Sequence, residues 1–262
     1  MKYISVIFLF LSLLSFSQTD SYNYKFTYKI GAKLDLENEN RNINQNMSLY
    51  VGKQKSLYIS DVMLKVDSAR AAIKKRRGSF HEIGEFQKTL PKNKLRYSLQ
   101  KEYKARNLTY TYSVLPSQSL YYVSSIPIFN WKIRTEQKQI LGYTCQKATL
   151  NYKGRKYIAW FSAEIPIQNG PWTFSGLPGL IFEIADTQNH YTFDLVGFKK
   201  ETKSFPKLYE KAIKTTKKGF RNAVENILIN LENSVRGESK LRLKKQRIAR
   251  KKIKGNPIEI EE

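Results

Sequence analysis

In the stretch KFTYKIGAKLDL, the residues Phe26, Tyr28, Ile30, Ala32, Leu34 and Leu36 alternate with Lys25, Thr27, Lys29, Gly31, Lys33 and Asp35. A period of two held this long describes a strand with one buried and one wet face. NLTYTYSVL repeats the device, setting Leu108, Tyr110, Tyr112 and Val114 against Thr109, Thr111 and Ser113. Runs rich in β-branched and aromatic residues predict further strands at Met47–Ile59, Leu95–Tyr103, Ser119–Ser125, Trp131–Thr135, Leu141–Tyr152, Lys156–Ser162, Leu180–Ala185 and His190–Phe198. The links between most of them are short, Lys153-Gly154 and 186–189 among them. Successive strands joined by short turns make an antiparallel meander rather than βαβ units. The expected fold is mainly β, a meander forming a curved sheet or half-barrel.

The period changes in two places. Ser60 to Lys75 predicts a short internal helix, with Ser60 as N-cap and Val62, Val66, Ala69 and Ile73 on one stripe. Phe220, Ala223, Val224, Ile227, Leu228, Leu231 and Val235 fall at helical spacing, a C-terminal amphipathic helix with a broad face to bury against the sheet. Beyond Gly237 the pattern thins to KLRLKKQRIARKKIKG, read as a basic helical tail over 237–262. No internal repeat or low-complexity linker interrupts the chain, so 18–236 is expected to form a single β-rich domain carrying the packed helix.

Charge and the first residues change the functional picture. Lys2 followed by ISVIFLFLSLL has the form of a secretory signal, and the small residues Ser15 and Ser17 place cleavage after Ser17. The apolar run is shorter than the roughly 20 residues a spanning helix needs, and no comparable run follows. The mature chain is therefore expected to be soluble, without a transmembrane segment, and periplasmic, outer-membrane-associated or secreted. Lys and Arg outnumber Asp and Glu 46 to 22, a formal charge of +24. In an exported protein this argues against nucleic acid and for attraction to an anionic envelope surface, or simply for solubility. Cys145 is the single cysteine, so no intramolecular disulfide framework is available and packing must supply stability.

The segment GPWTFSGLPGLIFEIAD, from Gly170 to Asp186, sets two Pro-Gly corners around large apolar residues. Leu177-Pro178-Gly179-Leu180 reads as a type II turn, with Pro178 presetting φ and Gly179 accepting a positive φ. Such a stiffened corner either plugs the sheet's open end or grips an apolar ligand or partner segment. The candidate binding residues are Trp172, Phe174, Leu177, Pro178, Gly179 and Leu180. Together with ILGYTCQKA from Ile140 and WFSAEIP from Trp160, the segment resembles the GLPGLI family of exported Bacteroidetes-type proteins, whose hexapeptide stands here at Gly176 to Ile181. That resemblance implies an exported envelope protein and supplies no chemistry.

Reactive constellations are sparse. Cys145 with His190 is the conceivable nucleophile and base, but Cys145 sits in a strand pattern where a free Cys serves as a small hydrophobe. Cys145, His81 and His190 lack paired metal-ligand spacing. Glu183, among Ile181, Phe182, Ile184 and Ala185, is expected in an ion pair. No hydrolase, metalloprotease, phosphate-loop or dinucleotide fingerprint occurs. The reading is a non-catalytic module without cofactor or metal, holding an apolar or lipid ligand or a partner segment. The alternative is an accessory or chaperone subunit of an outer-membrane protein complex. Lys244, Lys245, Arg247, Arg250 and Lys251 form the candidate basic surface.

Overall fold

β1 (Tyr22–Ala32) turns its alternating face inward as the sequence predicts: Phe26, Tyr28, Ile30 and Ala32 are buried, and Lys29 is exposed. The structure is a computed structural model that describes residues 21–34, 36, 42–115, 118–205 and 211–251. The expected signal segment at 1–17 and the chain after Lys251 lie outside the described residues.

β2 (Ile43–Gly52), β3 (Lys55–Ser60), β4 (Tyr97–Glu102), β5 (Asn107–Leu115) and β6 (Gln118–Ser125) extend from β1 as an antiparallel meander. A second meander contains β7 (Lys132–Ile140), β8 (Tyr143–Tyr152), β9 (Arg155–Ser162), β10 (Leu180–Asp186) and β11 (Tyr191–Lys203). The two are sewn together where β11 pairs with β1. A short parallel strand, β12 (Ile213–Lys214), borders β6. The order is β12-β6-β5-β4-β3-β2-β1-β11-β10-β9-β8-β7.

That order forces curvature. β6 and β7 are consecutive in the chain yet stand at opposite ends of the sheet, ten strand spacings apart. Laid flat, those spacings would cover about 48 Å, whereas the link at 126–131 reaches roughly 25 Å fully extended. The sheet must curl until its ends approach, and the concave side becomes the main core.

The single predicted strand Met47–Ile59 is two strands, because the chain reverses at Lys53-Gln54. The strand expected from Leu141 begins at Tyr143, since Leu141 and Gly142 are the hairpin turn, with φ +52 and +82. Lys153-Gly154 is its counterpart between β8 and β9, at +49 and +75. Positive φ at both central residues marks the turn whose twist suits a two-residue hairpin. In β5 the expected wet residues Thr109 and Thr111 are buried, while Tyr110 and Tyr112 are half-buried.

α1 (Asp61–Lys75) starts at Ser60, whose Oγ accepts from Met63 N–H, and it buries Val66 and Ile73. Its Met63 and Leu64 cover Tyr50, Leu57 and Ile59 on the convex face. α2 (Phe80–Lys88) was not anticipated by periodicity; Glu82 reaches back to Ser79 N–H at its start. α3 (Phe220–Ser234) packs Ala223, Val224, Ile227 and Leu228 on Val114 and Leu120, closing one end of the concave side. α4 (Gly237–Lys251) is tied to α3 rather than free in solvent: Arg247 donates to Glu225 at 2.7 Å and to Glu232 at 2.9 Å. No helix of the described residues is long and apolar enough to cross a membrane.

Candidate functional site

The 163–179 loop between β9 and β10 fills much of the concave interior. Trp172, Phe174, Leu177 and Leu180 are all buried, Phe174 and Leu180 completely. Phe174 meets the rings of Phe129, Trp131, Tyr157, Trp172 and Phe193 at centroid distances of 4.9–6.3 Å. Edge and tilted ring contacts of this kind add to the burial itself. The backbone is held as firmly: Trp131 Nε1 donates to Ser175 O at 2.9 Å, and Tyr28 OH to Ile181 O at 2.6 Å. Of the six predicted binding residues, Pro178 alone is exposed and Trp172 alone borders open space. The corner is primarily a plug.

Its turn differs from the expected one. Gly179 N–H donates to Leu177 O at 2.8 Å, a three-residue turn about Pro178, while Leu180 N–H goes to Ile165 O. Gly179 has φ +159, far from the roughly +80 that a type II turn requires there. Glycine is needed for another reason: a Cβ there would lie 2.1 Å from Ser162 O. The loop backbone runs directly against β9.

The plug stops short of the α3 end, leaving a cavity of about 540 Å³. One wall is a cross-strand run of tyrosines. Tyr97 of β4 stacks on Tyr110 of β5 at 5.7 Å, and Tyr110 on Tyr122 of β6 at 5.0 Å. Burial pushes the Tyr97 and Tyr110 hydroxyl pKa values upward, so these rings stay neutral. Opposite contributions come from Tyr152, Trp172, Tyr191 and Phe193. Trp172 is held at φ +52, a left-handed conformation a bulky residue adopts only when its surroundings enforce it. Phe220, at the start of α3, stands edge-on to Tyr110, Tyr112 and Tyr122 at 5.5–5.9 Å. Lys217, Lys218 and Arg221 flank it and add to the lining, which contains no carboxylate among the described residues.

Sequence reasoning identified Tyr110 as a strand residue but not as part of a wall, and it missed Lys218 and Arg221. Adjacency across three strands is set by register, which the sequence pattern of one strand does not carry.

Three other clusters stand apart from the cavity. Lys101 of β4 is buried and donates to Asn169 Oδ1 at 2.9 Å and Phe174 O at 3.0 Å, clamping the plug to the sheet. Burial lowers its pKa to about 7. Arg155 and Asp186 form a buried ion pair at 2.6 Å, and Asp186 also accepts from the His190 and Tyr191 N–H groups at 2.6 and 3.2 Å. On the convex face Glu183 pairs with Lys138, which lies over the Trp160 ring. Asp194, opposite Glu183 across the strands, has its pKa raised by burial and by that neighbouring carboxylate.

Cys145 and His190 are not brought together. The charges around Cys145 are Glu183, Lys138 and Glu164, and burial with Glu183 pushes its thiol to about 11. His190 sits instead beside Arg155 in the β10–β11 turn, 3.2 Å from its guanidinium. A thiol kept protonated at neutral pH is a poor nucleophile.

Among the candidate basic residues, Lys244 and Lys245 are exposed on α4, while Arg247 is occupied by Glu225 and Glu232. Arg250 and Lys251 lie at the end of α4, and their side chains fall outside the described residues.

The family model described as "Protein of unknown function (Porph_ging)" matches residues 151–183, from the end of β8 through the plug into β10. Two solved structures of PNGF-II, in space groups P21 and C2, are similar in fold, with TM-scores of 0.52 and 0.51 at 13% identity. They cover 78% of this chain, which spans 33% and 32% of theirs. At that identity the likeness concerns the fold alone. No curated protein sequence matches the chain.

Proposed function

We propose that this is an exported, non-catalytic binding module of the cell envelope that holds an apolar ligand between the tyrosine wall and α3. The cavity of about 540 Å³ carries the reading: it lies within the roughly 300–1,000 Å³ of small-molecule sites and has the aromatic lining such sites favour. Its walls are preorganised. The plug is fixed by Lys101 and Trp131, and the tyrosines are held in a stack, so a ligand would order little on arrival. In this reading the stiff corner shapes one end of the site through Trp172 and does not itself grip.

The test is uptake of the neutral fluorophore N-phenyl-1-naphthylamine by the full-length protein and by Ser124→Phe, which narrows the cavity from β6. The expected result is saturable uptake by the wild type, strongly reduced in the variant. Absence of uptake by the wild type would overturn the reading. Extraction of the protein purified mildly from its native envelope, followed by mass spectrometry, would then identify the natural occupant.

A second reading, an accessory subunit of an outer-membrane protein complex, is favoured by β7. This strand is largely exposed, and its outer edge makes no strand pairing among the described residues. Strand addition at such an edge is a recurrent mode of partner binding, though Lys132, Arg134 and Lys138 are the kind of charges that discourage it. Crosslinking from β7 in intact cells that captures no envelope protein would remove this reading.

A further inference from the structure

Resting on the apolar-ligand reading, we infer that the occupant is a single-chain or single-ring-system amphiphile whose anionic group is held at the mouth by Lys218 and Arg221. The argument begins with how the mouth is built. β12 pairs in parallel with β6, placing Ile213 beside Leu120, and Thr215 N–H donates to Tyr121 O at 2.8 Å. Five residues later Phe220 locks edge-on to Tyr110, Tyr112 and Tyr122. The intervening turn is therefore pinned at both ends to the tyrosine wall.

Lys218 and Arg221 stand on either side of Phe220 in sequence, and both are exposed while still bordering the cavity. Among the described residues no Asp or Glu borders it, so no described carboxylate in the lining neutralises these cations. A wholly apolar ligand would gain nothing from them. A ligand with a carboxylate, sulfonate or phosphate at one end would bury its body against the tyrosines and leave that group between an ammonium and a guanidinium. The volume suits one chain or one fused ring system; a two-chain lipid would leave a chain outside.

The test compares two fluorophores with the same apolar body. 8-Anilinonaphthalene-1-sulfonate carries an anion, and N-phenyl-1-naphthylamine does not. Both are titrated into the full-length protein, into the double variant Lys218→Gln/Arg221→Gln, and into a control, Lys244→Gln/Lys245→Gln, that removes equal charge from exposed α4. The wild type should bind the sulfonate about tenfold more tightly than the neutral probe at low salt, the preference shrinking as salt rises. The mouth variant should lose that preference and keep its affinity for the neutral probe, while the control keeps both.

Equal affinity for the two probes in the wild type overturns the inference and leaves the cavity reading standing. So does a preference that survives the mouth variant or falls equally in the control, since the +24 chain would then be attracting the sulfonate by net charge. Failure of the neutral probe to bind the wild type overturns the cavity reading, and this inference falls with it.

Discussion

Lys101→Met should flatten the pH dependence of stability over a window where few other groups titrate. Lys101 is buried, and its pKa falls from 10.5 to about 7 on folding because burial penalises the ammonium. A depressed value means that the folded state releases a proton the unfolded chain retains. The stability present above 10.5 is therefore lost progressively as pH falls towards 7, and the loss is complete below it. The full displacement corresponds to about 5 kcal/mol. Between pH 7 and pH 9 the linkage relation gives a gain of about 2 kcal/mol in the wild type. Methionine preserves the aliphatic bulk and removes the titration. It also removes the donor to Phe174 O, a cost of about 1–3 kcal/mol that does not vary with pH. The slope, not the intercept, is thus diagnostic. Urea unfolding followed by tryptophan fluorescence at pH 7, 8 and 9, at constant ionic strength, measures both proteins. Profiles that run parallel would refute the reasoning, showing that Asn169 and Phe174 O keep the ammonium charged throughout.

Asp186→Ala removes the carboxylate that balances the buried Arg155 guanidinium and accepts from two N–H groups, and should destabilise by about 3–5 kcal/mol in urea unfolding; adding Arg155→Met should restore part of that loss. Phe174→Ala, at the centre of five rings, should cost about 3–5 kcal/mol by the same assay. Gly179→Ala should cost about 1–3 kcal/mol through its clash with Ser162 O. Gly84→Ala, in α2 with open space around it, should stabilise by about 0.5–1 kcal/mol, measured as a rise in urea midpoint. Thr173→Val removes a buried hydroxyl that has no hydrogen-bond partner among the described residues, and thermal melts of the ligand-free protein should show a stabilisation of about 1 kcal/mol.

Strand identity was legible because period-two patterning survives where one face is buried and the other wet, as in β1, whereas in β5 both faces are covered and the alternation no longer tells them apart. α1 was legible from its cap and stripe. α2 was not, since its apolar residues are few; the Ser79 and Glu82 pair at its start was the available signal. The Gly-Leu-Pro-Gly corner is legible as a turn from its Pro and Gly, but local propensity points to the wrong turn type. The close approach to β9 that actually demands Gly179 is a tertiary fact. Likewise Lys101 reads as a surface lysine in a strand of mixed character, and only the docking of the plug buries it. The cavity was illegible for the same reason: it is the space the plug leaves, bounded by residues from several strands and α3.

A growing chain releases β1 to β6 first, and throughout that interval β1 presents an open seam. Its second neighbour arrives late: the carbonyl that Tyr28 OH engages lies 153 positions further on, and β11 follows later still. Until then the nascent meander is a template for adventitious strand addition. Lys25 and Lys29 in β1 and Lys33 just past it are charges of the kind that oppose such pairing. Closure by so distant a partner also makes assembly slow by topology, so the exposure lasts until β11 docks on β1.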